Sequence, residues 1–348
     1  MGHMDISPTT PSLWIKIILG AVLVTFTCFY AWEFWSQKAP SIPHPHYLVF
    51  SGSDEPITPL PLAPPDLDQR KVVLGRKLFN ELKLSHDNTI ACASCHQLNR
   101  GGVDSRKYSL GIYGQLGSIN APTVYNSGYN FRQFWNGRAA TLEQQIDGPV
   151  NNPVEMGSSW TEVISKLKKD PSYSIKFSSI YSDGITAENI ENAIATFERS
   201  LITPNSRFDK FLRGDSKAIT SKEFFGYQLF KSYGCISCHQ GINIGGNLYE
   251  KLGIMLPYFK ENGHLVMADM GRYVITKNIE DMHVFKVPGL RNIALTGPYL
   301  HDGSAPTLED VVKIMGKYQL GLDLTNEDIS EIVAFLRTLT GEYDGKPL

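Results

Sequence analysis

Two stretches of this 348-residue chain repeat one short pattern. ACASCHQL sets Cys92, Cys95 and His96 together, and GCISCHQG sets Cys235, Cys238 and His239. The fifth cysteine, Cys28, stands apart, so none is left for a disulfide framework. A zinc site would use the same residue types, but the pairs begin 235 − 92 = 143 positions apart, far outside zinc-ligand spacing, and a histidine directly after both pairs would be coincidence. A redox dithiol wants a strand–helix setting that this sequence does not offer. The remaining reading accounts for all three residues: two thiols form thioethers to the vinyl groups of one haem, while the next imidazole reaches its iron from the same turn. Two copies predict two covalently bound haem c groups.

Residues 13–35, LWIKIILGAVLVTFTCFYAWEFW, are long and apolar enough to span a bilayer, with Lys16 and Glu33 near the ends and Trp14, Tyr30, Trp32 and Trp35 placed as interfacial aromatics. They read as an uncleaved anchor; a cleaved signal peptide is the alternative, and no Ala-x-Ala site follows. Lys16 favours a cytoplasmic tail for residues 1–12, although Lys38 on the far side opposes it. Cys28 is then a membrane residue. Residues 36–65 are rich in proline and read as an extended linker. Beyond it the pattern is helical. Amphipathic stripes run over Asp68–Leu82, Thr186–Leu201, Thr220–Phe230 and Thr325–Leu339, with capping threonines and a Thr-Ser-Lys-Glu box at Thr220. No stretch alternates like a strand. The expected fold is all-α, with two cytochrome c-like domains at residues 66–204 and 205–348 behind a transmembrane helix. With 33 basic and 35 acidic residues, the chain lacks the basic footprint of a nucleic-acid binder.

What such a protein does depends on the far side of each iron. NAPTVYN (Asn120–Asn126), FWNGRAATLEQQ (Phe134–Gln145), NPVEMG (Asn152–Gly157), FKVPGLRNIALTGPYLHDG (Phe285–Gly303) and IMGKYQLG (Ile314–Gly321) resemble the bacterial di-haem cytochrome c peroxidases. The resemblance runs from about Leu74 to Gly341. It implies that the haem on His96 reduces hydrogen peroxide and that the haem on His239, completed by Met315, relays electrons to it. Glu155 then matches the distal acid/base, Gln145 a distal amide, and Trp135 the tryptophan between the haems. Asn120, with the carbonyls of Thr296 and Pro298, matches an inter-domain calcium site. Met255, Met267, Met270 and Met282 compete with Met315 by residue type alone, because methionine usually fills cores. The resemblance also implies a small cytochrome c or cupredoxin as electron donor and a homodimer. The anchor implies an inner-membrane protein with its haem domains in the periplasm, where a quinol-linked partner could feed it.

The sequence departs from this family at one point. Many members carry a distal histidine on the first haem, at the position of Ile112, and no histidine lies between His96 and His239. The peroxidatic haem is therefore expected to rest open, without reductive activation. Two other readings stay in view. One resembles the di-haem oxidase that matures tryptophan tryptophylquinone, in which tyrosine replaces the second-haem methionine. The other is a membrane-tethered electron carrier with Glu155 idle.

Overall fold

The computed structural model describes residues 55–261 and 265–348; the anchor and the linker up to residue 54 lie outside the described residues. Among the described residues no helix is long and apolar enough to cross a membrane. Helix α1 (Gln69–Phe79) starts where the Asp68 carboxylate accepts the Arg70 N–H, and it buries Val72, Leu74, Leu78 and Phe79. It stops three residues short of the expected Leu82 because the Asn80 amide donates to the Arg76 carbonyl (2.8 Å), and Leu82–Leu84 forms a separate 3-10 turn. Helices α2 (Leu142–Asn151), α3 (Trp160–Lys168), α4 (Pro171–Ser178) and α5 (Ala187–Ser200) complete the first cluster. Thr186 caps α5, whose buried face carries Ile190, Ala193, Ile194 and Phe197.

The second cluster gathers α6 (Arg207–Leu212), α7 (Ser221–Ser232), α8 (Leu308–Ile314) and α9 (Asn326–Arg337). Thr220 and Glu223 cap each other at the start of α7 as the sequence predicts, and Thr325 with Asp328 does the same for α9. Each cluster has a tight helix crossing at a glycine. A methyl group on Gly75 of α1 would overlap the Ala193 carbonyl oxygen of α5, and one on Gly226 of α7 would overlap the Glu331 carbonyl oxygen of α9. Only glycine lets these backbones approach so closely.

The chain is mostly helical, and among the described residues two short antiparallel ribbons stand besides: β1 (Tyr249–Lys251) on β2 (Val284–Lys286), and β3 (Glu342–Tyr343) on β4 (Lys346–Pro347). The expectation of an all-α chain missed them because runs of two or three residues are too short to show alternation. One hydrophobic cluster reaches Leu201 and the other takes up again at Phe208. Both ends of the described residues pack across the two clusters. Ile57 and Leu60, expected within the linker, are buried. Ile57 joins the second cluster, and Arg291 holds the Thr58 carbonyl (2.9 Å) while Asp209 accepts the Leu60 N–H (3.3 Å). At the other end Tyr343 and Leu348 pack against the first cluster, with Tyr343 edge-on to Tyr125.

Candidate active site

Each Cys-x-x-Cys-His turn faces its own cavity. Cys92, Cys95 and His96 line a space of about 380 Å³ in the first half. Cys235, Cys238 and His239 line one of about 250 Å³ in the second. The local geometry is the same twice. The His96 backbone N–H donates to the Cys92 carbonyl (2.9 Å) and the His239 backbone N–H to the Cys235 carbonyl (3.0 Å), which closes each motif into a single turn. Nδ1 of His96 lies 3.3 Å from the Gly102 carbonyl, and Nδ1 of His239 lies 3.3 Å from the Ile244 carbonyl. A carbonyl only accepts, so Nδ1 carries the proton and Nε2 keeps its lone pair for a metal. Desolvation lowers both imidazole pKa values, that of His239 to about 4, so both rings are neutral. Burial pushes the Cys95 and Cys235 thiols up to about 11 and raises those of Cys92 and Cys238, which disfavours the thiolates that zinc or redox chemistry uses. Because the two pairs line separate cavities, they do not converge on one metal.

Around the first cavity stand Glu155, Gln145, Trp135, Arg138 and Glu198. The Asn152 amide donates to Glu155 Oε1 (2.8 Å). Burial raises the Glu155 pKa above its usual value, against the opposing effects of Asn152 and of Arg138, which stacks on Phe134. Gln145 lines the cavity while Gln144, beside it in sequence, turns outward and accepts the Ala140 N–H (2.9 Å). Ile112 is buried, and its N–H donates to the Glu155 carbonyl (2.9 Å). Its side chain reaches towards Gly157 rather than lining the cavity. The Ser127 hydroxyl is buried on this wall without a protein partner, as suits a bound group that carries carboxylates.

Met315 lines the second cavity with His239, at the start of a single π-turn (Met315–Gln319) that follows α8, whereas Met255 and Met267 are exposed. Trp135 lines both cavities, and its indole N–H donates to the Asn120 carbonyl (2.9 Å). Asn120, Thr296 and Pro298 all reach the second cavity, and the Asn120 amide nitrogen donates to the carbonyls of Arg106 (2.9 Å) and Lys107 (3.3 Å). His301 is buried against Asp269 (Nε2–Oδ1 2.7 Å) and edge-on to Trp135. Sequence reasoning missed Glu198, Arg138 and Lys286. Glu198 carried a signal, since it falls eight residues after Ile190 on an otherwise apolar helix face.

The donor sets, the neutral imidazoles and the orphan hydroxyl fit two covalently bound haem groups, with a carboxyl and an amide lining one cavity and a thioether lining the other. That is the class of di-haem c peroxidases. A family model described as di-haem cytochrome c peroxidase matches residues 69–217. The chain is 52% identical over 291 residues to cytochrome c peroxidase Ccp of Escherichia coli strain K12, covering 83% of this chain but only 62% of that longer protein. It is 45% identical to the cytochrome c551 peroxidase of Nitrosomonas europaea, covering 84% of this chain and 86% of the relative. A solved MauG-like protein associated with microbial copper homeostasis superposes with a TM-score of 0.73 at 29% identity, over 87% of this chain and 96% of that one. The chain belongs to the di-haem cytochrome c peroxidase family.

Proposed function

We propose that the chain reduces hydrogen peroxide to water, H2O2 + 2e⁻ + 2H⁺ → 2H2O, with electrons from a small cytochrome c or cupredoxin. The observation that carries this reading is the asymmetry of the two cavities: Glu155 and Gln145 stand on the one with His96, and Met315 on the one with His239. When bound, the haems supply the iron that takes peroxide and the electrons that cleave its O–O bond. His96 holds one group by its Nε2 lone pair, and His239 with Met315 holds the other. Glu155 takes a proton from one peroxide oxygen and returns it to the other, so that water departs. Gln145 orients the peroxide, and Trp135 lies on the path for electrons between the cavities. In a tryptophylquinone-maturing oxidase tyrosine takes the place of Met315; Tyr318 is near in sequence, but its hydroxyl donates to Glu261 at the surface (2.6 Å).

The first haem rests open in this reading, because Ile112 offers no ligand and is packed away from the cavity. An EPR spectrum of the fully oxidised protein is expected to show a high-spin first haem; a low-spin centre with two nitrogen ligands would refute it. Calcium on Asn120 and the carbonyls of Thr296 and Pro298 belongs to the same reading. The amide nitrogen of Asn120 is engaged by two carbonyls, which leaves its oxygen for a hard cation. Residues 13–35 tether the protein to the inner membrane with both haems in the periplasm, and two copies pair as a dimer. Cell fractionation and sedimentation test these last two points. The decisive assay is steady-state turnover with peroxide and reduced cytochrome c, run with and without a calcium chelator. Glu155→Gln is expected to lower kcat by about 10²–10⁴-fold while both haems remain bound. Unchanged turnover would remove Glu155 from the mechanism, and a wild-type protein that takes up electrons but turns over no peroxide would be a tethered electron carrier.

A further inference from the structure

Lys286 sits on β2 between Phe285 and Val287, with only 7% of its surface exposed, and lines the cavity of His239 and Met315. Its backbone N–H donates to the Trp135 carbonyl (2.7 Å), which ties this stretch to the residue shared by both cavities. Across the ribbon it faces Tyr249, while Glu250 faces Phe285. The other buried cation on this wall, Arg291, is already satisfied by Asp209, with both Nη1–Oδ distances 3.0 Å. No such partner exists for Lys286: among the described residues no carboxylate pairs with its ammonium. Burial alone therefore depresses its pKa, to about 8. A buried ammonium with no counter-ion is strongly unfavourable, so the fold either keeps it neutral or meets it with an anion. The group that fits this cavity brings anions of its own, since a haem carries two carboxylates on its periphery.

We propose that Lys286 pairs with a carboxylate of the haem in the second cavity, fixing how that group sits beside Trp135 and raising its reduction potential. The direction follows from electrostatics: a cation held at the porphyrin edge favours the added electron, and low surrounding polarity magnifies the effect. The role is one of positioning and tuning, and Lys286 touches neither peroxide nor the reacting oxygen atoms.

This inference rests on the reading of the second cavity as a haem site, and the experiment keeps the two apart. In the holoprotein, haem content is measured first, then the midpoint potential of each haem and the carboxylate bands of the infrared redox-difference spectrum. Lys286→Met is expected to keep two haems, lower the potential of the second, leave the first unchanged and shift a carboxylate band. Lys286→Arg is expected to restore the potential with a band displaced from both. Two haems with wild-type potential and bands in Lys286→Met would overturn the pairing alone; a wild-type chain with one haem would overturn the reading beneath it. If Lys286→Met fails to assemble, Lys286→Arg still decides, because bands identical to wild type would show that no carboxylate is in contact.

Discussion

Two glutamates line the first cavity, and burial raises both, yet they stand in different company. Glu198 is 5% exposed, its pKa pushed up to about 8, and no hydrogen bond offsets its burial. Glu155 receives the Asn152 amide and feels Arg138, so its rise is held in check. A proton shuttle must lose its proton before it can accept one. The acid limb of kcat/KM for peroxide is therefore expected above the ordinary glutamate value of about 4.5, with activity falling as pH drops through it. A pH profile of wild type against Glu155→Gln checks this, since the limb should vanish with the carboxylate. Glu155 was legible in the sequence because Asn-Pro-x-Glu-Met-Gly is a local motif whose own Asn152 supplies the hydrogen bond. Glu198 was harder to read: its spacing from Ile190 put it on the apolar face, but a glutamate before an arginine late in a helix reads as solvated surface until a cavity is seen beside it. Lys286 hid in the same way, one residue in a strand too short to reveal its face.

At the scale of elements, capping was plain and close approach was not. Thr220 and Glu223 announce the start of α7 within four residues, and the structure closes that box with a 2.7 Å bond from the Thr220 N–H. Gly226, in the same helix, reads in sequence only as a local weakness worth about 1 kcal/mol against alanine. Its purpose lies 331 − 226 = 105 residues away, at the Glu331 carbonyl. Periodicity carries no record of which backbone a helix will meet. Gly226→Ala should therefore destabilise, despite the better helix former, by about 1–3 kcal/mol as α7 and α9 are forced apart. Urea unfolding of the holoprotein measures it, and a stabilised variant would show that the crossing is loose.

At the scale of the whole molecule, two haem sites were readable from the doubled Cys-x-x-Cys-His pattern, because covalent attachment demands contiguous residues. The docking of residues 55–65 on the second cluster was not, because proline-rich segments that dock and those that dangle have the same composition. The pin for one end is the buried pair Asp209–Arg291, with side chains 0% and 1% exposed. Asp209→Ala leaves the guanidinium buried without its partner and is expected to cost about 3–5 kcal/mol. It should also make residues 55–65 newly sensitive to limited proteolysis, and a protection pattern like wild type would contradict the pin.

At the opposite terminus, β3 and β4 lie across the first half, with the Arg76 guanidinium donating to the Tyr343 hydroxyl (2.9 Å). The two halves thus hold each other like clasped forearms. A single nick near Pro204 severs the backbone without releasing either piece, so the nicked protein should still migrate as one particle and keep both cavities aligned on Trp135. The alignment of both cavities on Trp135 is in that sense set by the clasp, and neither half could define it by itself.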